Sequence, residues 1–459
     1  MCFRPPRRQF LRLLAAAVAF GPTFRAPAGG ARGRRVLVVG AGLAGLAAAR
    51  SLRASEAEVL VLEARARIGG RVWTDRSLGA AVDLGAAWIH GPKGNPIARL
   101  AKDAGAATVK TDWDSMRLFA PDGRPLGDDA LERAWHHAER AFAALEKARR
   151  GASPELSVAD ALERYLRSAD LDAEARQDVR WVLGSEIELS YATDLADLSL
   201  ASLNEDDGFD GGDWIFPDGA GRLASHLADG VDVRLSHRVA AVRQGGDRVQ
   251  VETDRGTFEG DRCLVTLPLG VLAAGSVAFD PPLPEGMLAS LRRLRMGVLN
   301  KVAMRFAKPF WDPTLHTFGR MPGAADEPQT GFLPLTPANG SRVLVALRAG
   351  SAARSMERLT DGQLADEVLA ELRKCHGATV PEPEAMVATR WAGDEFALGS
   401  YSVIPPGAAA EDRDALAAPH GRVHFAGEAT HRGYPSTMHG AYLSGLREAD
   451  RIAALLPGG

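Results

Sequence analysis

Residues 36–71, VLVVGAGLAGLAAARSLRASEAEVLVLEARARIGGR, constrain the fold more than any other stretch. Val36–Val39 is a short apolar run that reads as a buried strand. Gly40, Gly42 and Gly45 follow with the spacing G-x-G-x-x-G and open an alanine-rich helical pattern from about Leu43 to Arg53. A second apolar run, Val59–Leu62, ends at Glu63, 18 residues beyond Gly45. Strand, glycine turn, helix, strand and acid in this order form a βαβ nucleotide-binding unit. The first glycine permits the tight turn, the second lets a pyrophosphate approach the backbone, and the third lets helix and strand pack closely. Free N–H groups at the helix start favour the phosphates. The Glu63 carboxylate accepts from ribose hydroxyls and repels a 2′-phosphate, which argues against NADP.

Directly after Glu63, Arg65-Ala66-Arg67-Ile68-Gly69-Gly70-Arg71 adds two glycines and three arginines. A second close approach by small residues, flanked by cations, suits an extended diphosphate with a ring system beyond it. That points to FAD rather than NAD. The string E-A-R-x-R-x-G-G-R after such a unit resembles the flavin-containing amine oxidase family, which includes polyamine oxidases, monoamine oxidases and lysine-specific demethylases. Ala66 stands where the family usually has an acid.

The chain has 459 residues, enough for two or three domains with a large core. Its N-terminus is unlike the rest. Arg7-Arg8-Gln9-Phe10-Leu11-Arg12 precedes the apolar run Leu13–Phe20 and the small residues Ala26-Pro27-Ala28. This order resembles a twin-arginine export signal with an A-x-A cleavage site, so a periplasmic or secreted location is expected. The apolar run is too short to span a bilayer, so no stable membrane span is expected after cleavage. Cleavage near Ala28 removes five arginines and no acid, taking the formal charge from −3 to −8. An acidic protein of this kind gives no sign of nucleic-acid binding. With Cys2 in the signal, Cys263 and Cys375 allow at most one disulfide, and no Cys/His cluster has metal-ligand spacing.

Further along, Asp83-Leu84-Gly85-Ala86-Ala87-Trp88-Ile89-His90-Gly91 resembles the form seen in polyamine oxidases. The resemblance implies that Ala86 and Ala87 lie against the flavin ring and that His90 binds or orients a substrate amine; read alone, His90 is a loop histidine. Residues 128–204 read as helices, with Leu131, Trp135, Ala138, Phe142 and Leu145 on one apolar face, and with a capping box at Ser157 and Asp160. The acids of Glu186-Ile187-Glu188 and Asn204-Glu205-Asp206-Asp207 either steer a polycation at a cavity mouth or are solvated surface. Residues 231–242, 248–253 and 257–259 alternate as a meander, followed by the apolar strand 263–267. The resemblance places Val239 against the adenine.

Residues 299–306, LNKVAMRF, alternate as a strand, with Lys301, Ala303 and Arg305 on one face. Pattern alone makes Lys301 solvent-facing. The resemblance instead makes it the family's lysine that holds a water against flavin N5. By the same resemblance Trp391 packs at the flavin edge and Tyr401 walls the substrate slot. Ser400 stands where covalent members carry cysteine, so non-covalent FAD is expected. The segment Gly427-Glu428 through Thr437-Met438 matches a further family signature. It implies that Gly427, Glu428, Thr437 and Met438 hold the cofactor, with Glu428 accepting from ribityl hydroxyls. The closing helix is expected from about Thr437, with Tyr442, Leu446, Ala449, Ile452 and Leu455 inward. Thr437 replaces the second aromatic wall of monoamine oxidases.

The expected fold is α/β: a glutathione-reductase-type, Rossmann-like FAD domain (34–88, 205–280 and 400–459) interleaved with an α+β substrate domain (89–204 and 281–399). The resemblance implies oxidation of a small-molecule amine, leaning to di- or polyamines, with O2 as acceptor and H2O2 as product. Absence of an inserted coiled-coil tower, together with export, argues against histone demethylation. The alternatives are a monoamine oxidase, an amine dehydrogenase serving a cytochrome, a non-amine desaturase, an L-amino-acid oxidase using Arg305 for the substrate carboxylate, and a periplasmic flavin-binding protein without turnover. No oligomeric state is legible.

Overall fold

A computed structural model describes residues 33–204, 207–323 and 327–456. The arginine-pair segment and its cleavage site lie outside the described residues, as do Glu205 and Asp206. The central sheet is parallel and five-stranded, in the spatial order Val423–Phe425, Arg262–Val265, Arg35–Val39, Glu58–Leu62, Asp232–Arg234. Its strands are apolar on both faces because both are covered. Val36, Val38, Val59, Val61 and Leu264 pack against the helices Leu43–Ala54, Gly221–Ala228 and Met438–Leu455. Leu37, Val39, Leu60, Leu62, Cys263 and Val265 pack on the opposite side against Val242, Val249 and Val251 of the meander. The helices Leu43–Ala54 and Met438–Leu455 cross closely: a Cβ on Gly445 would lie 2.1 Å from the Ala44 carbonyl oxygen. Small residues in both helices make that approach possible.

Residues 231–242 are not one strand. Asp232–Arg234 closes the parallel sheet, whereas Val239–Gly245 belongs to a separate four-stranded sheet with Arg248–Thr253, Gly256–Gly260 and Ala278–Asp280. Ser236 between them has φ +56, the turn that separates the two sheets.

A six-stranded sheet carries the second part, in the order Ala385–Ala388, Leu299–Arg305, Val343–Ala349, Gly331–Pro334, Thr317–Arg320, Met116–Phe119. The helices Asp128–Arg149, Val158–Ser168 and Ala173–Leu183 stack beside it, and Ser157 caps the second by accepting from the Asp160 N–H at 3.0 Å. Two stretches cross the expected boundary. Ile97, Leu100 and Ala101 of helix Pro96–Asp103 join the core of the nucleotide-binding part. Met287, Leu291 and Met296 join the meander core. Tyr401–Val403 pairs with Arg295–Gly297. Leu455 points outward at 48% exposure, and Leu456 takes the buried position. Cys263 and Cys375 are buried free thiols in different cores, so the permitted disulfide is not formed. Among the described residues no helix is long and apolar enough to cross a membrane, and no group of three or more His, Cys, Asp or Glu could hold a metal ion.

Candidate active site

A cavity of about 1280 Å³ begins at the Gly40–Glu63 turn and continues past Ala86, Ala87, Val239, Gly427, Thr437 and Met438 to Lys301, Trp391 and Tyr401. That exceeds the usual volume for one drug-sized ligand, roughly 300–1,000 Å³, and suits a cofactor and a substrate together. The glycines at its head differ in what they serve. Gly40 has φ +104, and a Cβ there would lie 2.6 Å from Thr266 Oγ1. A Cβ on Gly45 would lie 2.0 Å from the Gly40 carbonyl oxygen. Both are needed by the protein's own packing. Gly42 has φ −77 and an added Cβ would meet nothing within 4 Å, yet it lines the cavity. Gly70 packs beside it, its added Cβ falling 3.4 Å from Gly42 Cα. The space over Gly42 is left for a ligand. Glu63 accepts from the Ala41 N–H at 2.7 Å and the Arg65 N–H at 2.8 Å, one on each oxygen. Each oxygen keeps capacity for a ribose hydroxyl. These residues fit an FAD adenosine and pyrophosphate.

The arginines are not loose cations around a diphosphate. Arg65 makes a bidentate pair with Asp394 at 2.6 and 2.9 Å and lies over the Phe396 ring. Arg67 lies over Trp73 and donates to the Gly70 carbonyl at 2.8 Å. Burial, with Arg65 adding to it, pushes its guanidinium down to about 10. Arg71 donates to Glu428 at 2.8 Å and to the Ser400 carbonyl at 3.0 Å. Glu428 is held from several sides. Its oxygens also accept from the Ser402 N–H and hydroxyl and from the Ser436 N–H. Those partners occupy much of the carboxylate's accepting capacity, and Glu428 anchors Arg71 on the cavity wall. Burial alone would raise its pKa, but Arg71 and Arg413 hold it below the usual carboxylate range.

Lys301 does not face solvent. It is 3% exposed, because the strand Leu299–Arg305 is covered on both faces. Its Nζ donates to the carbonyls of Asp83 at 2.8 Å and Gly85 at 2.7 Å and lies 5.4 Å from the Trp88 ring centroid. Burial pushes the ammonium down to about 8, with Asp83 pulling the other way. Burial also pushes the Asp83 carboxyl up to about 6, against hydrogen bonds from Thr74 and the Ala220 N–H.

Asn300, passed over in the sequence, organises the neighbouring loop. It is fully buried and uses every hydrogen-bonding site of its amide. Nδ2 donates to Glu357 at 2.6 Å and to the Ala353 carbonyl at 3.3 Å. Oδ1 accepts from the Thr389 hydroxyl at 2.9 Å and from the Trp391 N–H at 3.0 Å. Trp391, 3% exposed, stands edge-on to Trp73 on the cavity wall. Ser400 exchanges hydrogen bonds with the Leu299 backbone, N–H and carbonyl alike. Tyr401 donates to the Leu189 carbonyl at 3.1 Å, which fixes one wall. Thr437 caps the closing helix, accepting from the Gly440 N–H at 2.9 Å and donating to the Tyr434 carbonyl at 2.9 Å. The helix begins at Met438, which is buried on the cavity.

His90 lines the same cavity, paired with Asp213 at 2.9 Å, and Trp113 Nε1 donates to the other Asp213 oxygen at 2.9 Å. Neither Asp213 nor Trp113 stands out in the sequence: one opens a three-residue strand, the other sits in an aperiodic D-W-D loop. Aromatic walls come from Trp88, Trp113, Trp181, Phe318 and Phe332. Acidic lining includes Asp112, Glu186, Asp207 and Asp210. Glu188 does not line the cavity. Arg305 is outside it, donating to Glu384 at 3.1 Å and to the Leu78 carbonyl at 3.2 Å, so it cannot serve a substrate carboxylate.

The profile of a family described as flavin containing amine oxidoreductase matches residues 43–453. A lysine-specific histone demethylase 1 homolog 3 from Oryza sativa subsp. indica is 42% identical over 93% of this chain and 55% of its own length. Polyamine oxidase 4 from Oryza sativa subsp. japonica is 34% identical over 90% of this chain and 88% of its own. A solved triple mutant of putrescine oxidase, redesigned in cofactor binding, shares the fold with a TM-score of 0.75 at 22% identity, covering 92% of this chain and 99% of that one. The chain spans about half the length of the demethylase homologues it matches. With a nucleotide cradle, a buried cavity lysine and a family match across nearly all of its described residues, the chain belongs to the flavin containing amine oxidoreductase family, and its cofactor is FAD.

Proposed function

We propose that this chain oxidises elongated aliphatic amines, di- or polyamines, with O2 as electron acceptor. One observation carries the reading: Lys301 is buried on the wall of a cavity continuous with the nucleotide cradle, held by two backbone carbonyls. Gly42, Glu63 and Gly70 would hold FAD, which would supply the hydride acceptor for the carbon beside the amine nitrogen and the route of those electrons to O2, with H2O2 as product. The chain's own residues do the rest. Lys301 Nζ uses two positions on the Asp83 and Gly85 carbonyls, and its remaining one can hold a water at this wall. Trp88, Trp113 and Tyr401 exclude bulk water, which lowers the pKa of a bound amine and favours its reactive neutral state. Asp112, Glu186 and Asp210 attract a second positive charge along an extended chain. Water then hydrolyses the imine to an aldehyde and an amine or ammonia.

A second reading is favoured by the relatives named lysine-specific histone demethylase homologues, at up to 42% identity. A monomethylated lysine side chain is itself a secondary amine on an aliphatic chain, and a peptide would then be the substrate. Anaerobic mixing of the holoprotein with spermidine, and separately with a monomethyl-lysine peptide, tests both. Bleaching of the flavin by spermidine, with one H2O2 per turnover in air, supports the first. Bleaching by the peptide alone transfers the conclusion to the second, and no bleaching by either, or by putrescine or primary monoamines, overturns amine oxidation. We further assign the arginine-pair segment to export of the folded holoprotein. N-terminal sequencing of protein recovered from the periplasm tests this, with a start near Gly29 expected.

A further inference from the structure

The strand Trp88–His90 runs antiparallel to Asp213–Ile215 with His90 directly opposite Asp213, which puts both side chains on one face of the small sheet. The His90 Nδ1 to Asp213 Oδ1 distance is 2.9 Å, and Asp213 is 4% exposed. Trp113 Nε1 reaches Asp213 Oδ2 at 2.9 Å. An indole N–H only donates and an ionised carboxylate only accepts. Trp113 therefore turns the carboxylate so that Oδ1 faces the imidazole, and the hydrogen between them belongs to His90 Nδ1. Nε2 is left as the acceptor, on a ring that is 40% exposed and lines the cavity. This wall is continuous with the lysine. The Trp113 and Trp88 rings are 6.0 Å apart, and Lys301 Nζ is 5.4 Å from the Trp88 centroid.

We propose that Asp213 is a positioning residue that fixes His90 in the Nδ1–H tautomer, so that Nε2 accepts a hydrogen bond from an N–H of the substrate amine. The proposal rests on the amine-oxidation reading above and narrows it to primary and secondary amines, whose nitrogen still carries a hydrogen for Nε2 when neutral. The opposite tautomer would donate its Nε2–H into the lone pair of the neutral amine, the pair that hydride loss from the neighbouring carbon draws on. An asparagine at 213 cannot satisfy both neighbours as acceptors. If its oxygen stays with Trp113, its NH₂ faces His90 and forces the hydrogen onto Nε2.

The test has two parts. In holoprotein labelled with ¹⁵N-histidine, with His90→Gln identifying the His90 signals, the neutral ring is expected to carry its hydrogen on Nδ1 with Nε2 bare. Asp213→Asn should invert or mix that pattern. In steady-state kinetics Asp213→Asn should raise KM for spermidine about fivefold, the scale of one lost hydrogen bond between neutral groups, with a much smaller change in kcat. A His90 that carries its hydrogen on Nε2 in the unmutated protein overturns the proposal, even if Asp213→Asn does not fold. So does a folded, FAD-loaded Asp213→Asn with unchanged KM. Failure of any amine to reduce the flavin would instead overturn the amine reading, and the ring spectrum tells the two apart.

Discussion

Lys301 is held by two carbonyls and the Trp88 ring rather than by a carboxylate, and with only a coulombic pull from Asp83 as counter-charge these offset the cost of burying its charge only in part. Its folded pKa of about 8 lies below the ordinary 10.5. Between those values the unfolded chain binds more protons than the folded one, so stability rises with pH across that window. Lys301→Met removes this dependence. Compared by denaturant titration at pH 7.5 and pH 10, the unmutated holoprotein should gain on the order of 2 kcal/mol relative to the methionine variant. The same variant should keep FAD while turnover falls about a hundredfold, the scale of a lost proton-handling group. The glycines give a second residue-scale contrast. Gly42→Ala should fold with stability changed by no more than about 1 kcal/mol, because its Cβ meets no protein atom, yet lose FAD affinity by tenfold or more on titration. Gly45→Ala should fail to fold, since its Cβ would meet the Gly40 carbonyl at 2.0 Å. The spacing of these glycines is visible in the sequence. Which one serves the ligand and which serve the fold is not, since that depends on what lies across from each.

At the scale of elements, the strand Leu299–Arg305 shows why alternation misleads. A period of two sorts side chains to two faces, but it does not say whether the second face meets water. Here helices and the cofactor part cover both, and Asn300, Lys301, Val302, Ala303 and Met304 are all buried. Family resemblance placed Lys301 at the site; periodicity alone would have put it outside. Asn300 escaped both, because its role arises from four partners distant in sequence. Replacing it with Ala removes the acceptor for the Trp391 N–H and leaves Glu357 with only the Ala392 and Gly393 N–H groups. Asn300→Ala should destabilise the holoprotein by about 2–4 kcal/mol, the cost of buried groups left unpaired. It should also loosen Trp391, read as a weaker near-UV dichroism signal. An unchanged midpoint and spectrum would mean that Trp391 is held by packing alone. Glu428 was legible as an acid near the cofactor only through resemblance, and its bonds to Ser402 and Ser436 became visible only in the folded chain.

For the whole molecule, the chain crosses between its two parts several times, and the cavity collects residues from widely separated segments: 40–71, 85–90, 239, 301, 391–403 and 427–438. The βαβ unit, the closing helix and the helical block were each legible, because each is specified by local pattern. The exact border was not: Ile97, Leu100 and Met287 join cores on the other side of it, since burial is decided by the neighbours a segment meets and not by its place in the chain. One consequence concerns the cofactor. A ligand seated across segments from both parts binds only the assembled chain, so its binding free energy adds to the stability of the whole. At free FAD a thousandfold above its dissociation constant that contribution is about 4 kcal/mol. Thermal unfolding followed by far-UV dichroism should therefore show one transition whose midpoint rises with the logarithm of added FAD, with flavin release coincident. If instead the helical block 128–183 were stable by itself, an early or late transition would appear that no concentration of FAD moves. Its core includes Leu118 from the six-stranded sheet and Val403 from beyond Trp391, both brought in by elements that also border the cavity, so a single FAD-dependent transition is the outcome that this packing requires.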